Sequence, residues 1–153
     1  MRQTVEEMLG YFNQIRRVYA NEFNLKFTNE NFSPNEISIL ILLSNNPSIN
    51  TSSQLCTILG VSKGLISRSI DVLVEKGYII CAKDDADKRI QRLSFSPQAA
   101  PVIQKLNEEV TKMNNEVLQD ISKEELQQVE ATMTKILTRF KERNETQHEK
   151  NNV

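Results

Sequence analysis

The chain has 153 residues, with 19 Lys and Arg against 20 Asp and Glu and a net charge of −1, a length that suits one folded domain with a sizeable core. No run of about 18 apolar residues is present, which excludes a membrane-spanning helix, and two cysteines make no disulfide scaffold. Near-neutral charge excludes a bulk polycation, so any nucleic-acid contact must come from local charge.

In chain order, Val5, Met8, Phe12, Ile15 and Tyr19 recur at helical spacing, and Leu9 and Phe23 widen that face. This predicts a long amphipathic helix over about 1–26. Asn29 to Phe32 reads as a polar link. Ser33-Pro34-Asn35-Glu36 then supplies an N-cap, a proline at the first helical position and a capping-box carboxylate. Ile37 to Leu43 is apolar almost all round and is expected at the centre of the core. Asn45-Asn46-Pro47 breaks it.

Thr51 and Gln54 form a second capping box, followed by Leu55, Cys56, Ile58 and Leu59 on an apolar face. Gly60 closes that helix and Ser62 caps the next. Ile66, Ile70 and Leu73 give the next helix its buried stripe, and Lys63, Gly64, Leu65, Ser67, Arg68 and Asp71 occupy the other side. Gly77 ends it. Tyr78 to Ala82 has strand content, and Leu93 and Phe95 alternate with Arg92 and Ser94 as a half-buried strand. The two strands flank the charged tip Asp84-Asp85-Ala86-Asp87-Lys88-Arg89. Two helices about a glycine turn form a helix-turn-helix, a device that lays its second helix in a DNA major groove.

Pro97 stops strand pairing. Val102, Leu106, Val110, Met113, Val117 and Ile121 recur at three or four, Ser122 to Glu125 is a further capping box, and Leu126, Val129, Met133, Ile136, Leu137 and Phe140 carry a last helix. Lys141 to Val153 is polar and expected to fray, with 144–153 as a flexible tail.

These residues resemble the multiple-antibiotic-resistance regulator (MarR) family of winged helix-turn-helix transcription factors. The match is Leu59-Gly60-Val61-Ser62-Lys63, Ser67-Arg68, Leu73-x-Glu75-Lys76-Gly77-Tyr78 and Asp84-x-x-Asp87-Lys88-Arg89 leading into Leu93-x-Phe95-Ser96. Gly64 and Leu65 stand where the family commonly has small hydroxyl residues, and Cys81 where a strand arginine is common. The resemblance implies a mainly α fold with a small β-hairpin wing. A winged helix-turn-helix at about 33–96 would be flanked by long dimerisation helices at about 1–26 and 98–143, in one domain over 1–143.

DNA is the expected partner, as a double strand read by a homodimer. Between Gly60 and Arg92 there are seven Lys or Arg against five Asp or Glu, a small local excess. In the helix from Ser62, Arg68 suits guanine O6 and N7 or a phosphate, and Ser62 and Ser67 suit phosphate or base. Lys63, Gly64 and Leu65 share the same approach. At the tip, Arg89 suits a narrow A·T-rich minor groove and Lys88 a phosphate; the resemblance implies that Asp87 braces the wing for Arg89. One reading helix covers few base pairs, so a two-fold dimer on a pseudo-palindrome follows, with half-sites about one helical turn apart.

Other chemistries find less support. The only histidine, His148, lies in the polar tail, and no Cys/His/carboxylate cluster has metal-ligand spacing. There is no nucleophile–base pair and no phosphate-cradling glycine loop, so an enzyme is not expected. No cofactor is expected. Cys56 is expected to be a buried small hydrophobe and Cys81 partly exposed; a redox-sensing regulator is one alternative, and a winged-helix protein-interaction module without DNA binding is the other. The crevice between dimerising helices and winged domain suits a small apolar or aromatic effector. The N-terminus lacks a signal-peptide core, and the expected location is a reducing cytoplasm, with no membrane partner.

Overall fold

Six α-helices and one β-hairpin follow each other in a computed structural model that describes residues 4–27 and 30–151. They are α1 (Val5–Lys26), α2 (Pro34–Asn45), α3 (Ser52–Leu59), α4 (Lys63–Glu75), β1 (Ile79–Lys83), β2 (Gln91–Phe95), α5 (Ala100–Leu118) and α6 (Lys123–Asn151). The side chain of His148 lies outside the described residues, as does Asn29 of the expected polar link.

Side-chain caps set most helix starts. Ser33 and Glu36 exchange their expected reciprocal bonds at α2, as do Thr51 and Gln54 at α3 and Ser122 and Glu125 at α6. Thr4 and Glu7 form a further box at α1. Each such cap is worth about 1 kcal/mol. Gly60 ends α3 in the left-handed region at φ 63°, where a Cβ is disfavoured.

The apolar run of α2 is the centre of the core: Ile37, Ile39, Leu40 and Ile41 are all buried. Phe23 and Phe27 pack over it from the end of α1, and Leu55, Ile66, Ile70 and Leu73 from the helix-turn-helix. Leu93 and Ile79 close the hairpin side, and Ala99 and Leu106 the α5 side. Ile58 departs from expectation. Apolar residues at 55, 56, 58 and 59 span more of the helix circumference than the core covers, so Leu55 is fully buried while Ile58 stays 44% exposed.

Three long-range polar contacts hold these elements in place. Buried Glu36 receives Lys76 Nζ at 2.9 Å, and the same ammonium bonds the Asn31 carbonyl at 2.7 Å and lies 4.9 Å from the Phe32 ring centroid. The C-terminal cap residue of α4 is thereby fixed to the first turn of α2. Arg16 on α1 donates from Nη1 to the carbonyl of Leu59, the last residue of α3, at 3.0 Å. A cation there also meets the negative end of the α3 dipole. Ser44 donates to Asn107 Oδ1 at 3.1 Å and joins α2 to α5.

Strands β1 and β2 pair antiparallel with Cys81 opposite Leu93 and Lys83 opposite Gln91. The segment before α3 adds to this hairpin, since Thr51 bridges Arg92 and the Leu93 amide donates to the Asn50 carbonyl at 2.8 Å.

The chain divides into two compact units, 1–108 and 109–153, and α5 contributes to both. In the second unit no described side chain of α6 is buried, and Leu126, Val129, Leu137 and Phe140 are exposed. The helix also runs past the expected fraying point at Lys141 as far as Asn151. Lys, Glu, Arg and Gln are good helix formers, and an Arg139–Glu142 pair and a Thr146 hydroxyl bond to the Glu142 carbonyl lie along this stretch. Polarity there marks exposure rather than loss of helix. The α1 stripe is open as well: Leu9, Phe12, Ile15 and Val18 are all exposed. No helix among the described residues is long and apolar enough to cross a membrane.

Candidate nucleic-acid interface

Helix α4 turns one face inward and one outward. Ile66, Ile70 and Leu73 are buried, and the hydroxyl of buried Ser69 donates to the Leu65 carbonyl at 3.0 Å. Lys63, Gly64 and Arg68 are exposed, and Leu65 and Ser67 half-buried. The N-cap Ser62 is exposed, and its hydroxyl oxygen accepts from the Leu65 amide at 3.3 Å, leaving the hydroxyl proton free to donate outward. A Cβ on Gly64 would meet nothing within 4 Å, so the first turn is open to approach. Among the described residues neither Lys63 nor Arg68 has an ion-pair partner. The exposed carboxylates of this helix, Asp71 and Glu75, come later. The outward face is therefore positive in its first two turns and negative beyond, and the helix dipole adds to the same polarity.

The wing has its own polar skeleton. Arg89 donates from Nε and Nη2 to the two carboxylate oxygens of Asp87, each at 3.0 Å, and its amide donates to Asp87 Oδ1 at 3.1 Å. The Arg89 side chain is 90% exposed. Lys88 lies 4.0 Å from Asp85, both well exposed. Asp84 accepts from the amides of Ala86 and Asp87 at 3.1 and 3.0 Å and from Arg92 Nε at 2.8 Å, and Arg92 Nη1 reaches Asn50 Oδ1 at 2.8 Å.

Sequence reasoning placed Asp87 and Arg89 together but missed the roles of Asp84, Arg92 and Asn50. An Asp whose side chain bonds amides two and three residues on is an Asx-type turn, a local signal that was available at Asp84. Nothing local links Arg92 to Asn50, 42 residues earlier.

Hydrogen bonding from Arg92, and from the Asp87 and Ala86 amides, holds the Asp84 carboxyl below the usual aspartate range; Arg89 does the same to Asp87. A carboxylate with a depressed pKa contributes its full stabilisation above the ordinary aspartate value and loses it as pH falls through the lowered one. Carboxyl-carbon NMR titration should therefore give both residues midpoints below the ordinary value. A midpoint at or above it would contradict these hydrogen bonds.

A family model described as the MarR family matches residues 30–90, the span from the turn before α2 to the tip of this wing, short of β2. Over that span the chain is similar to the MarR family.

Solved structures agree on the fold over nearly the full length. The transcriptional regulator BldR from Sulfolobus solfataricus is 27% identical, with 90% of this chain and 99% of that one covered and a TM-score of 0.66. A MarR protein from Peptoclostridium difficile is 21% identical over 92% and 91% at a TM-score of 0.71. The MepR protein of S. aureus in its DNA-binding conformation is 17% identical over 87% and 98% at 0.75. The fold is thus the winged helix-turn-helix of MarR-type transcriptional regulators, mainly helical with a two-stranded wing.

The two cysteines are both free thiols. Cys56 is half-buried rather than fully buried, because only one side of α3 meets the core. Cys81 is exposed, and partial desolvation together with the charge of Asp71 pushes its thiol pKa up. Thiolate activation requires the opposite shift. No cluster of three or more His, Cys, Asp or Glu suited to a metal ion occurs among the described residues. An open depression of about 280 Å³ lies on the outer side of α3, lined by Ile49, Ser53, Gln54, Thr57 and Ile58. Its Gln54 side chain is already engaged in capping α3, and its Thr57 hydroxyl bonds the Ser53 carbonyl.

Proposed function

We propose that the protein is a sequence-specific regulator of transcription that binds double-stranded DNA as a homodimer on a pseudo-palindromic operator, acting as a repressor in the cytoplasm. The observation that carries this reading is the exposed basic start of α4, with Lys63 and Arg68 unpaired among the described residues, in the same MarR-type domain as a wing bearing an exposed arginine. In use, Ser62, Lys63, Gly64, Leu65, Ser67 and Arg68 enter the major groove. Arg89 reads an adjacent minor groove while Asp87 holds its guanidinium edge-on, and Lys88 neutralises phosphate. Contact to phosphate positions the protein, and contact to base edges specifies the sequence.

Dimerisation supplies the second half-site. The open apolar residues Leu9, Phe12, Ile15 and Val18 on α1 and Leu126, Val129, Leu137 and Phe140 on α6 are the surfaces that a second copy covers. A small apolar or aromatic effector regulates such a dimer by binding one spacing of the reading helices better than another.

Fluorescence anisotropy against a genomic DNA pool tests the function, with sedimentation at micromolar concentration testing the assembly. Expected are a dimer and a salt-dependent affinity that discriminates among sequences. A stable monomer would remove the palindrome mechanism. Binding that stays weak and indifferent to sequence at every salt concentration would favour the competing reading, a protein-interaction module, for which the near-neutral net charge is the supporting observation.

A further inference from the structure

The wing is joined to the helix-turn-helix by more than its two strands. From the tip inward, the amides of Ala86 and Asp87 donate to Asp84 Oδ2, Arg92 Nε donates to Asp84 Oδ1, and Arg92 Nη1 donates to Asn50 Oδ1. Asn50 is itself held on both sides. Its amide donates to Gln54 Oε1 at 2.9 Å, and its carbonyl accepts from the Leu93 amide at 2.8 Å. Gln54 is the capping-box residue of α3. A continuous series of charge-assisted and backbone bonds thus runs from the wing tip to the start of the helix that supports α4.

A two-stranded hairpin has few restraints of its own, because an isolated one is marginally stable in water. Strand pairing runs from Ile79 opposite Phe95 as far as Lys83 opposite Gln91, and beyond it the backbone adds only the Asp84 amide to the Ile90 carbonyl at 2.8 Å and the Ile90 amide to the Asp87 carbonyl at 3.0 Å, so side-chain bonds carry much of the restraint on the tip. Arg92 is the only described side chain that bonds both the tip and the segment before α3. Its planar fork suits this task, since Nε and Nη1 point at two acceptors at once, which a lysine ammonium on a flexible stem does poorly.

We propose that Arg92, acting between Asp84 and Asn50, is a positioning residue that sets the angle of the wing against the reading helix and so decides whether Arg89 reaches the minor groove when α4 is seated in the major groove. This rests on the DNA-binding reading above. Arg92 itself makes no base contact; it governs how well operators with A·T-rich flanks are told from others, while recognition of the half-site core by α4 does not depend on it.

Three variants and two readouts test this on the full-length protein. Arg92→Ala, and separately Asn50→Ala, should lower affinity for an A·T-flanked operator about tenfold, the size of one lost charge-assisted contact. Preference for A·T over G·C flanks should collapse while discrimination against core-mutated half-sites is retained. Arg92→Lys should restore only part of the flank preference. In the free protein, amide order parameters at Ala86, Asp87 and Arg89 should fall from about 0.85 toward 0.6 in Arg92→Ala. If wild type shows flank preference and both alanine variants keep it, with wing order unchanged, the positioning role is overturned and the DNA reading stands. If flank and core discrimination fall together, the residue serves folding alone and the proposal is likewise overturned. A wild-type protein without any sequence preference overturns the DNA reading first, and this proposal with it.

Discussion

Replacing Lys76 by methionine should lower the free energy of unfolding by about 3 kcal/mol, measured by urea denaturation at neutral pH. The reason is the carboxylate left behind. Glu36 is 6% exposed, and Lys76 is its one cationic partner among the described residues. Removing that partner leaves a charge in the core and also strips the Asn31 carbonyl of its donor. The companion experiment fixes the cause. In the double variant Glu36→Met, Lys76→Met no unpaired charge remains, so most of the lost stability should return, as it does when a buried ion pair is replaced by apolar groups of similar volume. The Ser33–Glu36 capping box is lost with the carboxylate, which limits recovery by about 1 kcal/mol. A single Lys76 variant as stable as wild type would show that the pair contributes nothing.

The second large effect falls on binding. Arg68→Ala should weaken operator affinity by about 1–3 kcal/mol and relax preference at one position in each half-site, as loss of a base contact does. Arg89→Ala should weaken binding most on operators with A·T-rich flanks. Each phosphate contact removed should also flatten the slope of log affinity against log salt by about one unit. Thermal stability should barely move in either case. Arg68 has no ion-pair partner among the described residues to lose, and the Arg89–Asp87 pair is exposed, where such pairs contribute little. Unchanged operator affinity in Arg89→Ala at physiological salt would overturn the role given to the wing, and melting temperatures recorded beside the titrations would separate lost contact from lost fold.

What the sequence made legible was local. Capping boxes at Ser33, Thr51 and Ser122 are patterns four residues long, and the buried stripe of α4 repeats every three or four positions. Each is visible because the partners are neighbours along the chain. The contacts that orient one element on another span 40 residues or more, as in Lys76 with Glu36, Arg16 with Leu59 and Arg92 with Asn50. No periodicity encodes them. Ile58 and the end of α6 show the converse, since an apolar residue near a core stripe was assigned inward and a polar stretch was assigned to a frayed tail. In both, composition reports how water treats a side chain, and the backbone answers to helix propensity and to what packs beside it. The candidate site divides the same way. Lys63, Arg68 and Arg89 stand out as exposed cations, while the bonds that aim the wing depend on a segment far away in sequence.

The charge gradient along α4 makes the helix directional. With Lys63 and Arg68 on its first two turns and Asp71 and Glu75 on its last, it cannot be reversed in a groove walled by phosphates without setting carboxylates against them. In the proposed DNA complex the basic end therefore leads into the groove, whichever way along the DNA axis the subunit faces. In the proposed dimer a two-fold partner carries the opposite heading with its own basic end leading, so the two half-sites would read as inverted copies. Direct repeats would present one subunit of such a dimer with the base sequence running the wrong way.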